Sequence, residues 1–390
     1  MKRDNDPQNS PLSCFALAGP SYRLDLVRDS SALLVIFSAT GRHDGTFDFD
    51  TIVFDRAMSI LRVNDPVNGW YQHGVPGLGH SIDETCDLIG EIADDLGVDT
   101  ICCMGSSMGA YAALLYGARL NARILAFVPD TRLQVPWSYS RKMMPERAVP
   151  VVRDLIQTLT RMQGVAQIVV GELDAMDLWH VARLPALPHV YLASLPGVGH
   201  GIPRVLKENG HLDKVLADFL SGLPLDPAVF DGEALTIRGL SRRLWLALDA
   251  YNTDRTDEAE RLSRKALALH PASDCAKVLL ARCLNRAADY KPALALLQNT
   301  SAQARRDSDV AVLFGQISRK LRDPAPALPL LQRAVDSDPR NDRLHYELGM
   351  CHWGAGNKAE AIAALNAAHL LRPDHAHYAN QLTKLGPAAG

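Results

Sequence analysis

No stretch of this 390-residue chain stays apolar for the roughly 18 residues that a membrane-spanning helix needs, so no membrane span is expected. The opening, MKRDNDPQNSPLSC, is polar and has no apolar core of leader length, so export is not indicated and the cytoplasm is the default location. Cysteine is sparse, and none of the seven falls into a metal-ligand spacing, so no metal is implied. Cys102 and Cys103 adjoin within an apolar run and read as small buried hydrophobes in a reduced compartment. Excess charge is also lacking: the net value is −3. It hides an asymmetry, with 19 basic against 28 acidic residues up to position 237 and 22 against 16 beyond it. Neither balance is large enough to argue for nucleic acid, but opposite signs suit two separate units.

What is present is a composition of 47% hydrophobic and 22% charged residues, ordinary for globular protein, in a chain long enough for two domains. From about Gly239 the chain repeats every 34 residues: Ala259, Ala293, Ala327 and Ala361 are in register. So are Leu246, Leu280, Phe314 and Leu348, each followed by a small residue, while Pro271, Pro339 and Pro373 mark unit ends. Each unit holds two apolar stretches at helical spacing, whose small residues let paired helices approach closely.

This period and small/large pattern resemble the tetratricopeptide repeat family. Four repeats are expected at about 240–273, 274–307, 308–341 and 342–375, closed by a capping helix in DHAHYANQLTKLGPAAG. Pro324, Pro326 and Pro329 crowd one helix of the third unit, which is expected to start late or bend. The resemblance implies a concave groove for a protein or peptide partner and places Arg282, Arg286, Arg319, Lys320, Arg343, Tyr346 and Trp353 near it. Such cations would suit an acidic segment, with the aromatics as apolar anchors. The alternative is that several are solvated surface charges.

The first half alternates β-rich and helical stretches. YRLDLVRD, ALLVIFSA, SILRVND, TICCM, ARILAFVP, VAQIVVG and HVYLASLP are expected strands, separated by amphipathic or small-residue helices. Such alternation predicts an α/β fold with a mostly parallel sheet covered on both faces, and chemistry beyond the carboxyl ends of its strands.

There TICCM runs into Gly105-Ser106-Ser107-Met108-Gly109 and out into SMGAYAALLYGARL. A G-x-S-x-G string alone is weak, but strand before and helix after display the serine on a tight turn beside the helix's first amides. The segment resembles the nucleophile elbow of the α/β-hydrolase family. That resemblance implies a triad in the order Ser107, Asp174, His200: the acid after VAQIVVG, the histidine after the last strand in GVGHG. Asp177, one turn on, and Asp130, after ILAFVP, stay open as alternative acids. His200 would take the Ser107 proton and return one to the leaving group, with the acid fixing the imidazole tautomer. The oxyanion would be held by the amide of Met108 and one near Ser38, Ala39 or Thr40, with Ala39 the choice. Trp70 and Tyr71 are either substrate walls or packing anchors, and His43 and His73 lie in loops that could touch the substrate.

The sequence thus predicts a polar tail (1–19), an α/β-hydrolase-type domain (20–222), a linker (223–238) and an all-α repeat solenoid (239–390). The expected activity is acyl-serine chemistry of esterase, thioesterase or acyltransferase type, needing no cofactor. With no long lid insertion after ILAFVP, a small-molecule or glycan-linked acyl group suits it better than triglyceride. The rival is a non-catalytic adaptor in which a hydrolase-like scaffold carries the repeats.

Overall fold

The computed structural model describes residues 17–52, 54 and 58–385. Most of the predicted N-terminal tail lies outside them, as do the last five residues of the expected capping segment. Contacts divide the chain into two compact units, Met1–Leu195 with His200–Leu235, and Thr236–Gly390 with Pro196–Gly199.

The first unit is built on eight strands: β1 (Ala18–Gly19), β2 (Tyr22–Asp25), β3 (Leu33–Phe37), β4 (Ser59–Val63), β5 (Ile101–Ser106), β6 (Arg123–Phe127), β7 (Val165–Gly171) and β8 (Val190–Leu195). They form one sheet in the order β1-β2-β4-β3-β5-β6-β7-β8. Pairing is parallel from β4 through β8, and β2 runs antiparallel to both its neighbours. All seven strands expected from composition are present; the two-residue β1 is too short to leave a pattern. Every residue of β3 is buried, as a continuous apolar run covered on both sheet faces must be.

Among the described residues this unit has seven helices. α1 (Ile82–Leu96) is capped by Ser81, whose side chain accepts the Glu84 amide, and ends at Gly97 in the left-handed conformation. α2 (Met108–Arg119) has no polar face: Met108 through Ala118 are all buried, because Ala and Gly let it lie flat against the sheet. α3 (Tyr139–Met143) lies in the loop between β6 and β7. Two further helices, α4 (Ile156–Arg161) and α5 (Ala175–Ala182), bracket β7, and α6 (Ile202–Glu208) and α7 (Leu212–Ser221) follow β8.

The second unit is all helical. Antiparallel pairs run α8 (Leu240–Asn252) with α9 (Thr256–Leu269), α10 (Asp274–Arg286) with α11 (Tyr290–Gln298), α12 (Ser308–Lys320) with α13 (Leu328–Ser337), and α14 (Asp342–Gly354) with α15 (Lys358–Leu371). α16 (Ala376–Leu385) covers the last pair, Leu385 packing in one cluster with Ile362 and Leu365. The four in-register alanines are completely buried. Gly349 shows why small residues recur there: a Cβ would come within 3.0 Å of the Ala361 carbonyl oxygen. The proline-rich helix does start late. α9 and α15 would place its start at Pro324, yet α13 begins at Leu328 after a single 3-10 turn over Ala325–Ala327. Proline lacks the amide that a regular helix interior requires. Arg319 on α12 and Glu347 on α14 form a bidentate ion pair at 2.6 and 3.0 Å, with the Glu347 side chain 1% exposed.

Candidate functional site

β5 ends at Ser106, and α2 starts at Met108; the whole reversal falls on Ser107, with φ 55° and ψ −116°. A non-glycine residue there is strained, and such strain persists only where the surroundings enforce it. Here they do. The Ser107 amide donates to Phe127 O at 2.9 Å, and Ser107 O accepts from the Tyr111 amide at 3.1 Å. The flanking glycines are needed for closeness: a Cβ on Gly105 would lie 2.8 Å from Phe37 O, and one on Gly109 would collide with that same carbonyl. Met108 is the first helical residue, so its N–H has no acceptor within the helix, and no side chain caps this end.

His200 follows β8. Its Nδ1 lies 2.9 Å from Oδ2 and 3.1 Å from Oδ1 of Asp177, and Tyr139 stacks on the ring at 3.8 Å between centroids with the planes 24° apart. His200 Nε2 is buried with no hydrogen-bond partner, so the expected bond to Ser107 Oγ is not made in this state. Burial pushes the Asp177 carboxyl up to about 7, against the pull of His200 and with the push of Asp174. Burial alone would lower His200, but the charges of Asp177, then Asp174 and Asp130, outweigh it and raise the imidazole above its usual range.

The acid in contact is therefore Asp177, not Asp174. Asp174 is the N-cap of α5, where its Oδ1 accepts the amides of Met176 at 2.7 Å and Asp177 at 3.2 Å. The chain after β7 must satisfy the first amides of a new helix, and the nearest carboxylate does so. Asp174→Ala is expected to cost about 1 kcal/mol of stability and Asp174→Asn only a few tenths, read from urea midpoints. Equal midpoints for the alanine and wild-type proteins would refute the capping role.

Asp130 is also committed elsewhere: its Oδ2 accepts the Ser140 amide at 2.7 Å, and its Oδ1 lies 3.2 Å from His180 Nε2. The choice of Ala39 as oxyanion donor is corrected as well. Its amide donates to Asp48 Oδ2 at 2.7 Å, and Asp48 is held in turn by the Arg42 guanidinium and by Ser38 Oγ. An amide already bonded to a carboxylate is no free donor. Trp70 and Tyr71 are packing anchors: both are fully buried, and the Tyr71 hydroxyl donates to Ser38 O at 2.9 Å. Tyr71 also meets Phe37 edge-on at 5.4 Å. His43 and His73 are exposed.

In the helical unit, a cavity of about 310 Å³ is lined only by the first helix of each pair, with Tyr251, Arg282, Asn285, Asp309, Gln316 and Arg343 among its walls. Arg282 and Arg343 share Asp309, at 3.8 and 3.1 Å. The other residues expected at the groove divide. Arg286 lies over the Tyr251 ring at 3.8 Å and donates to Asp254 at 3.0 Å. Arg319 is spent on Glu347, and Tyr346 stacks on Tyr378 and bonds His377 from the covering helix. Those two serve the packing of the array rather than an open groove. Lys320 is exposed, and Trp353 is 41% exposed. Among the described residues, no helix is long and apolar enough to cross a membrane.

Two tetratricopeptide repeat family models match the chain, over residues 253–317 and 312–375. The C-terminal unit therefore carries tetratricopeptide repeats. No curated protein matches the sequence. Similar solved structures include YrrB, described as a TPR protein with an unusual peptide-binding site, at 23% identity over 37% of this chain and 74% of that one, TM-score 0.34. A thermophilic TPR protein of Thermus thermophilus is 24% identical over 37% of this chain and 80% of its own, TM-score 0.33. MamA from Desulfovibrio magneticus is 18% identical over 38% and 84%, TM-score 0.36.

Proposed function

We propose that this protein is a serine hydrolase of α/β-hydrolase type, acting through an acyl-serine, joined to a repeat module that holds a protein or peptide partner. The observation that carries the reading is a histidine after the last strand whose Nδ1 is held by a buried carboxylate, together with a strained Ser107 backbone on a strand-to-helix turn as the proposed nucleophile. Asp177 fixes the Nδ1–H tautomer, so Nε2 is the basic nitrogen, and it is buried without a competing partner. In the forward step, Nε2 takes the Ser107 hydroxyl proton as Oγ bonds to the acyl carbon. The tetrahedral intermediate then expels an alcohol or thiol, which leaves with that proton. Water, or another acceptor hydroxyl, reverses the sequence. The oxyanion would be received by the amide of Met108, the first residue of α2, an end that no side chain caps. Apo hydrogen bonds of this kind are often open and close with substrate.

Covalent labelling by a fluorophosphonate tests this. Wild type is expected to be labelled and Ser107→Ala not; a folded, unlabelled wild type would overturn the enzyme.

The open Nε2 and the occupied Ala39 amide favour a second reading, a non-catalytic adaptor. For the repeats, the Arg282 and Arg343 guanidinium groups in a groove partly neutralised by Asp309 suit an acidic segment.

A further inference from the structure

Asp130 and His180 form a second buried acid–imidazole pair that the acyl-serine mechanism does not use, with side chains 3% and 0% exposed. The two groups lie at ion-pair distance, Asp130 Oδ1 standing 3.2 Å from His180 Nε2. A buried carboxylate is costly unless it is compensated. Burial pushes the Asp130 carboxyl up, but His180 and Ser140 together outweigh it and hold Asp130 below the usual carboxylate range.

Both partners of Asp130 lead to His200. Ser140 is the second residue of α3, and its neighbour Tyr139 covers one face of the imidazole. His180 sits on α5 three residues after Asp177, on the same side of the helix, and Asp177 holds the ring's edge. One carboxylate thus reaches the element behind the ring's face and the element behind its edge.

Resting on the catalytic reading of His200, we propose that Asp130 is a positioning residue. One oxygen fixes the helix start that stacks Tyr139 on the imidazole, and the other anchors, through His180, the helix that presents Asp177. The charged or titratable groups around the ring are Asp177 and Asp174 from the β7–α5 segment, Asp130 from the end of β6, and Tyr139 from α3. Lys142 of α3 sits 5.4 Å from the Tyr139 ring centre, and Arg204 of α6 lies against Gly201.

The test is histidine NMR on the full chain, which needs no turnover. It reads the His200 titration midpoint and the ring-current shift that Tyr139 imposes on the His200 ring protons. Tyr139→Leu is expected to abolish the ring-current shift and lower the midpoint by on the order of half a pH unit, as an aromatic face favours the cation. Asp130→Asn keeps an oxygen for the Ser140 amide, so the ring-current shift is expected to persist while the midpoint falls by about half a unit or more with the lost charge. Asp130→Ala is expected to lose both. A single effect would not separate positioning from loosening; the graded pattern does. If Asp130→Ala does not fold, the other two variants decide. A native midpoint in folded Asp130→Asn, or loss of the ring-current shift there, overturns the proposal. Fluorophosphonate labelling is independent: unlabelled wild type with the expected NMR pattern removes the enzyme and keeps the positioning network. Labelled wild type without the pattern does the reverse.

Discussion

Asp177→Asn is expected to lower turnover of an activated ester by on the order of 10⁴-fold, with KM little changed. The amide is nearly isosteric, so the fold survives, but its NH₂ can donate to Nδ1 and favours the tautomer with the proton on Nε2. Nε2 then cannot accept the Ser107 proton. The pH profile supplies a second reading. A general base works only when neutral, and His200 is raised above its ordinary value by its carboxylate neighbours. Wild-type kcat/KM should therefore rise with pH through a midpoint above the usual 6.5. In Asp177→Asn that midpoint should move down, since a negative neighbour has gone while burial remains. An Asp177→Asn enzyme with wild-type turnover would remove this carboxylate from the mechanism.

Gly109→Ala is expected to be the most damaging single methyl in the first unit. The new Cβ would meet the backbone carbonyl of Phe37 and come close to the carbonyl carbon of Ser38, and no rotamer relieves a clash with main chain. To open the gap, α2 must lift from β3 or Ser107 must leave its positive-φ conformation. A loss of more than about 3 kcal/mol is expected, beyond ordinary overpacking. Urea denaturation monitored by near-UV circular dichroism checks it. Ala110→Gly, one residue on and also buried, provides the control for simple helix propensity, worth about 1 kcal/mol. If the two substitutions cost the same, the close crossing is not what Gly109 provides.

The parts of this molecule that were readable in its sequence are those with a period. The central strands β3, β5, β6 and β7 announce themselves as apolar runs because the sheet is covered on both faces there. The repeats announce themselves because the same helix crossing recurs, and each crossing requires an alanine or glycine. The site was less readable where two residues of one type lie within a single turn. Asp174 and Asp177 both follow β7, and nothing in residue type separates them. Their positions do: an aspartate just before AMDLWHVA is where a helix takes its N-cap, which leaves the later one to turn inward. Ala39 failed for a different reason. Its amide is taken by Asp48, nine residues away across a loop, and no local pattern encodes that bond. Trp70 and Tyr71 look like a binding wall in sequence, but both are fully buried, and the hydrogen bonds and ring contact of Tyr71 hold the strand ends.

The Arg319–Glu347 bridge has a mechanical consequence. In a stack where each motif touches only its neighbours, unravelling starts at an end and moves inward one motif at a time. Fraying of the final motif takes Glu347 with it and leaves the Arg319 guanidinium of the preceding motif without its carboxylate, so the bridge opposes that first step and ties the last two motifs together.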